Sequence, residues 1–254
     1  MKYGICTESV APVRAEPSDR AEMVTQLLFG DKVEILKTEE KWLYVTAKYD
    51  NYAGWIDPKM VTEISSETFF QEDSIYFAGD IFNFVMGNSP MTIPIGASLP
   101  NFHNGVVQID DQVFEFNGEV VKADDNPIAI VDLAQMYLNT PYLWGGKSTF
   151  GVDCSGMVQQ VYKMKNIYLP RDTYQQAEYG EVLGFVEEAQ PGDLAFFDNE
   201  EGRIIHVGII LEGQKIIHAH GKVRIDPIDS TGIFNTDSQR YSHKLRFIKR
   251  IMTS

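Results

Sequence analysis

One change of pattern, at Asp124-Asp125-Asn126-Pro127, constrains this chain more than any other feature. Before it, short apolar or alternating runs follow one another at turn-length intervals. After it come stretches at helical spacing and then a series of strand-like runs. From Val10 to Thr62, the pairs Val33 and Ile35, Leu43 and Val45, and Trp55 and Ile56 are separated by Phe29-Gly30-Asp31, Glu39-Glu40-Lys41 and Asn51-Tyr52-Ala53-Gly54, which is the spacing of a small all-β barrel. Residues 63–125 repeat the theme with Ile75-Tyr76-Phe77, 82–85, 91–95, 106–109 and 113–116, broken by Gly79, Gly87-Asn88-Ser89-Pro90, Gly96 and Asn117-Gly118, and are expected to form a second barrel. Beyond residue 126, apolar side chains recur at helical spacing over Ile130 to Leu138, where Pro141 follows, and over Ser155 to Lys165. Apolar or alternating runs over 193–198, 203–211, 215–219 and 245–251 then read as strands, giving an α+β region with its helices first. The length of 254 residues, against roughly 150 for an average domain, agrees with a multidomain chain divided as 1–62, 63–125 and 126–254.

Charge is divided at the same place. Residues 1–125 hold 9 basic and 21 acidic side chains, and the remainder 13 and 15, within a formal net charge of -14. Such a surface repels phosphate backbones and anionic membranes, so nucleic acid is not an expected partner. Hydrophobic residues make up 44% of the chain, enough for a packed core, and no run approaches the roughly 20 apolar residues of a membrane span. The N-terminus lacks the apolar centre of a signal peptide, so the expected location is cytoplasmic, with a periplasmic or cell-envelope place as the alternative if a leader has been trimmed. Cys6 and Cys154 are the only cysteines, which excludes a disulfide framework and a zinc site of paired thiolates.

Chemistry concentrates after residue 140. Thr149-Phe150-Gly151-Val152-Asp153-Cys154-Ser155-Gly156-Met157 is a glycine-bearing loop that delivers Cys154 to the first turn of a predicted helix. Unpaired N–H groups and the helix dipole favour an anion there, so the thiol is expected to titrate below its free value of about 8.5. The alternative is a buried structural cysteine. A thiolate nucleophile needs a base, and His206 interrupts the apolar run from Ile204 to Leu211. His218, twelve residues later in the next strand, is placed to stand beside it across an antiparallel pair and to orient it. The alternative is a pair of core histidines. His218-x-His220 on one strand face could also chelate zinc, with Cys154 and His206 completing four ligands, but the nucleophile reading explains Cys154 better and no metal is expected.

Asp153-Cys154-Ser155-Gly156, preceded by Pro141-Tyr142-Leu143-Trp144-Gly145-Gly146 and followed by Leu169-Pro170-Arg171, Gly192-Asp193-Leu194 and His206-Val207-Gly208-Ile209, resembles the NlpC/p60 family of papain-like cysteine peptidases over about residues 127 to 250. The preceding barrels resemble the bacterial SH3-like type, 10–62 more closely than the second. The resemblance therefore implies two SH3-like barrels followed by a papain-like cysteine peptidase domain, of the kind that acts on γ-D-glutamyl-L-diamino acid bonds in murein peptides. By position it makes Cys154 the nucleophile, His206 the general base and His218 its orienter. It also places Tyr142 beside the thiol, where its hydroxyl would assist the oxyanion together with the Cys154 N–H.

On the substrate side the resemblance implies Asp153 and Ser155 in the groove, with Asp153 accepting from a peptide ammonium, and adds Trp144, Arg171 and Thr173. Glu16 and Tyr52 of the first barrel match positions that recognise a free N-terminal L-Ala, a carboxylate and a phenol being suited to an ammonium. The plain alternatives are packing under the nucleophile loop for Tyr142 and Trp144, solvated polarity for Asp153, Ser155, Glu16 and Tyr52, and a structural part for Arg171. The second barrel departs most from the family pattern, and the resemblance assigns it no role. The implied reaction needs no metal or organic cofactor, its partner is a murein-derived peptide, and a monomer is favoured. A cell-wall-peptide binding module and a papain-like amidase or acyltransferase acting on another amide are the rival readings.

Overall fold

Alternating apolar and polar side chains give strands with one buried face, and in residues 43–47 of the first half Leu43, Val45 and Ala47 are buried while Tyr44 and Thr46 are half-buried. The computed structural model describes residues 2–39, 41–123 and 129–251 and divides into two units. The first comprises Met1–Asn126 with Trp144–Phe150; the second comprises Pro127–Leu143 with Gly151–Ser254.

In the first unit, β1 (Lys2–Cys6), β2 (Val10–Arg14), β3 (Met23–Leu28), β4 (Lys32–Thr38), β5 (Leu43–Ala47), β6 (Ala53–Ile56) and β7 (Val61–Ile64) form one antiparallel sheet in the order β3-β2-β6-β5-β4-β1-β7. Its inner face packs Cys6, Val13, Leu27, Val33, Val45 and Ile56. A helical turn, α1 (Ser66–Phe70), follows. Next come β8 (Tyr76–Ala78), β9 (Phe82–Met86), β10 (Pro90–Pro94), β11 (Val106–Ile109), β12 (Gln112–Phe116) and β13 (Val120–Lys122). They make a four-stranded sheet, β10-β9-β12-β11, and a pair, β13-β8. Val85, Ile93, Val107 and Phe116 share their core with Ile5, Leu28 and Phe29 of the first sheet. The turn at Gly30 permits this closeness: its φ is +82°, and a Cβ there would lie 2.4 Å from the Ser98 carbonyl oxygen. A short strand, β14 (Lys147–Ser148), belongs to this unit, where Lys147 N–H donates to Gln26 Oε1 at 2.8 Å.

The second unit holds α2 (Ile130–Gln135), β15 (Gly151–Val152), α3 (Cys154–Lys163), α4 (Thr173–Gln176), β16 (Glu181–Val182), β17 (Leu194–Asp198), β18 (Ile204–Leu211), β19 (Lys215–His220), β20 (Lys222–Pro227), β21 (Gly232–Asn235) and β22 (Arg240–Arg250). The sheet runs β16-β22-β17-β18-β19-β20, with β21 added on β22, and all pairs are antiparallel. Helix α3 packs against β18 and β19, which brings its N-terminus to the strands that carry the histidines. All ten of its residues are buried, including Gln159 and Gln160 as well as the expected apolar stripe. The α2 helix is shorter than its apolar pattern, because Tyr137 and Leu138 donate to Ala134 and Gln135 in tight turns and Asn139 turns the chain at φ +67°.

Candidate active site

Asp153 sits in extended conformation before α3, and its carboxylate caps the helix by accepting the Gly156 N–H at 2.7 Å. Arg171, 1% exposed, donates to both Asp153 oxygens at 3.1 and 2.6 Å and to Ser155 Oγ at 2.9 Å. Gln176 Nε2 donates to the Ser155 carbonyl at 3.0 Å and to that of Pro170 at 2.9 Å. The residues on both sides of Cys154 are thereby tied to the segment 170–176 and to the helix. Asp153 and Ser155, expected in the substrate groove, are buried and bonded to Arg171.

The Cys154 sulfur has polar neighbours: Thr173 Oγ1 lies at 3.7 Å, and the Val207 backbone N–H bonds to it. The thiol does not titrate low as the helix position suggested. Burial, followed by the negative charge of Asp153, pushes it up to about 11, while Thr173, the Val207 N–H and Arg171 pull the other way. The helix terminus is partly spent on Asp153, and a thiolate buried at this depth loses its hydration. Thr173, expected to bind substrate, lies on the Cys154 sulfur.

Val207 follows His206, so the strand that bonds the thiol also presents the imidazole. Continuing the β18–β19 register beyond Ile209 and Ile217 sets Gly208 opposite His218, and a side chain on Gly208 would come 2.9 Å from the His218 Cβ. Glycine clears that space, and His206, on the same strand face, reaches diagonally across it with Nε2 2.9 Å from His218 Nδ1. His218 Nε2 is 3.1 Å from Asp226 Oδ2. Burial first, then the nearby His243, His218 and His220, hold His206 well below its ordinary value.

Asp226 was not anticipated from the sequence. It is fully buried, and its carboxylate accepts from Arg224 Nε at 2.6 Å and Nη2 at 2.9 Å, and from Thr236 N and Oγ1 at 3.2 and 3.0 Å. Burial opposes its ionisation, but the bonds from His218, Arg224 and Thr236 outweigh that and hold it well below the usual carboxylate range. The available signal was Arg224-x-Asp226, two opposite charges on one face of a strand, with Arg224 directly across from His218. His243, also unanticipated, stacks on His206 with ring centroids 4.1 Å apart.

Tyr142 is half-buried; burial, then the charges of Cys154 and Asp153, raise its phenol to about 12. In the first unit Trp144 is 61% exposed and its indole N–H donates to Glu22 Oε1 at 2.7 Å. Glu16 is exposed after β2, and Tyr52 is half-buried just before β6. His206, His218 and His243 each bring a ring nitrogen within 4.8 Å of the others. His206 Nε2 and His218 Nδ1 face each other across their bond, and the stacked rings of His206 and His243 lie in nearly parallel planes, so their in-plane lone pairs do not converge on one ion.

A cysteine opening a helix that packs on an antiparallel sheet, with a histidine couple on adjacent strands, defines a papain-like cysteine peptidase domain; the all-β region before it is of the SH3-like type. Comparisons with known proteins agree. Residues 139–240 match the NlpC/P60 family and residues 13–60 the bacterial dipeptidyl-peptidase Sh3 domain. A relative from Bacillus subtilis named gamma-D-glutamyl-L-lysine dipeptidyl-peptidase is 29% identical over 240 residues, spanning 86% of this chain and 75% of its own length. A probable endopeptidase from Haemophilus influenzae is 40% identical over 129 residues, 48% of this chain and 77% of the relative. The crystal structure of an NlpC/P60 family protein from Bacillus cereus superposes with a TM-score of 0.80 at 20% identity over 99% of this chain and 100% of that one, a likeness of fold. The chain belongs to the NlpC/P60 family of cysteine peptidases. Among the described residues no helix is long and apolar enough to cross a membrane.

Proposed function

We propose that this peptidase hydrolyses the γ-D-glutamyl-L-diamino acid bond of murein peptides that begin with a free L-Ala, releasing L-Ala-γ-D-Glu. The observation that carries it is the Cys154 sulfur at the start of α3, bonded by the Val207 N–H on the strand of the His206–His218 couple. The names of the Bacillus subtilis relative and of the Sh3 domain support the substrate class.

Burial raises the thiol and lowers the imidazole, so both start neutral at pH 7 and the proton moves as the bond forms. His206 takes the thiol proton while sulfur attacks the γ-carbonyl of D-Glu. Collapse of the tetrahedral intermediate expels the diamino acid's amine, which receives that proton, and leaves a thioester. Water, deprotonated by His206, attacks the thioester, freeing the dipeptide and restoring the thiol. The Cys154 N–H and the Tyr142 hydroxyl stabilise the oxyanion. Arg171 fixes Asp153 as the cap of α3 beside Cys154, and Glu16 and Tyr52 of the first unit, a carboxylate and a phenol, are the groups suited to the ammonium of L-Ala. The acidic charge of residues 1–125 suits small amine-bearing peptides better than intact anionic wall.

The test compares L-Ala-γ-D-Glu-L-Lys, its diaminopimelate analogue and the N-acetylated tripeptide. Cleavage of the first two and loss of about 100-fold or more in kcat/KM on acetylation are expected, the range of a charge-assisted contact left unmade. No cleavage of either free tripeptide refutes the substrate and favours another amide; equal cleavage of the acetylated form refutes the ammonium recognition.

A further inference from the structure

The hydrogen-bond chain does not stop at His218. Asp226 is an ionised carboxylate with Arg224 in bidentate contact and two Thr236 donors on its other oxygen, so it can only accept. His218 Nε2, 3.1 Å away, must then carry its hydrogen, and a neutral His218 keeps a bare lone pair on Nδ1. That lone pair faces His206 Nε2 at 2.9 Å, so His206 Nε2 donates and His206 Nδ1 is left unprotonated.

We infer that Asp226, clamped by Arg224, is a positioning residue that fixes the tautomers of the His218–His206 couple and thereby makes His206 Nδ1 the atom that accepts the Cys154 proton. The arrangement is over-determined on its far side. Arg224 Nη1 is held by Asp237 Oδ2 at 2.6 Å and its Nη2 reaches Thr236 Oγ1 at 3.3 Å, so the guanidinium stays in the plane of the carboxylate. The charged and titratable groups about the couple are His220 on β19, Arg224 and Asp226 on β20, Asp237 after β21, His243 on β22, and Cys154 with Asp153 at the start of α3. Of these, only Asp226 offers an acceptor to His218 Nε2 among the hydrogen bonds of the described residues. The same logic makes Asp226→Asn informative: its amide can donate to His218 Nε2, moving the hydrogen to His218 Nδ1 and forcing His206 to present Nδ1–H to the thiol.

The inference rests on Cys154 and His206 acting as nucleophile and base, and its test is independent of the substrate. Two-bond ¹⁵N–¹H correlation spectra of the intact protein at pH 7.5 are expected to show both His206 and His218 protonated on Nε2; an Nδ1-protonated His206 in the wild type overturns the inference, and this measurement stands even if the variant does not fold. In Asp226→Asn the two rings are expected to switch tautomer, and iodoacetamide labelling of Cys154, followed by mass spectrometry, to slow by about 10-fold or more. Turnover should fall about 10²–10⁴-fold in kcat with KM nearly unchanged, as for an orienting carboxylate behind a catalytic histidine. A folded Asp226→Asn with wild-type tautomers and labelling rate overturns it, whatever its melting temperature. If the wild type leaves the tripeptides uncleaved while the tautomers and the labelling rate change as expected, the substrate reading fails and the inference survives.

Discussion

Each unit buries one cysteine, and the two could hardly be used more differently. Cys6 lies on β1 among Ala11, Val13, Leu27 and Val33, and burial drives its thiol far above its ordinary value, with Glu8 and Asp31 charges adding to the rise and the Glu8 backbone alone opposing it. Cys154 is also buried, but Thr173, the Val207 N–H and Arg171 bring donors and positive charge to its sulfur and keep it near 11. Seclusion alone therefore does not set the character of a thiol. The difference lies in which groups were buried with it.

The sharpest way to break this comparison is to delete each thiol. Cys154→Ala is expected to lose about 10⁴-fold or more of kcat/KM on the tripeptide, while Cys6→Ala retains activity within about two-fold and loses about 1 kcal/mol of stability in urea unfolding, roughly one buried methylene's worth. Residual wild-type turnover in Cys154→Ala, or its loss in Cys6→Ala, would reverse the assignment. Next in size is Arg171→Met. It removes the buried guanidinium that holds Asp153 and Ser155, and a stability loss of about 3–5 kcal/mol is expected by urea denaturation. A loss below about 1 kcal/mol would show that the nucleophile loop stands without that clamp.

The smallest effect is graded with pH. His206, His218 and His243 are all held below their ordinary value, by burial first, and His243 to about 3. Above pH 6.5 they are neutral folded or unfolded and cost nothing. Below it the unfolded chain takes up protons that the folded sheet refuses, so stability falls as the pH drops from 6.5 toward 3, by about 1.4 kcal/mol per pH unit for each refused proton. Thermal melts across that window should show the loss in the wild type, and replacing His243 by Phe should lessen the slope. A flat profile would mean that the cluster opens to water.

Much of this was readable in the sequence because it is local. A glycine-bearing loop, an aspartate able to cap and a helix start occupy consecutive positions, so Cys154 at the beginning of α3 follows from residues 149–157 alone. His206-Val207-Gly208 announces itself as a polar interruption with a glycine beside it, and the strands over 43–47, 53–56 and 194–198 follow from period-two alternation and apolar runs. Strands β20 and β21 and the full length of β22 were not legible, since their charged residues find partners only across a sheet. The shared core of the first unit was equally hidden, because Ile5 and Phe29 meet Val85 and Phe116 through packing that no spacing encodes.

The sequence by itself settled the passage from short strands to helices and back to strands, the helix that opens on Cys154 and the two histidines twelve residues apart, because capping, alternation and turn chemistry act over a few residues. Only the tertiary structure decided that Asp226 and Arg224 lie behind His218, that His243 covers His206, and that the thiol is raised instead of lowered. Strand register and burial are set by the whole sheet, and charge and hydration depend on every neighbour that the fold brings within reach.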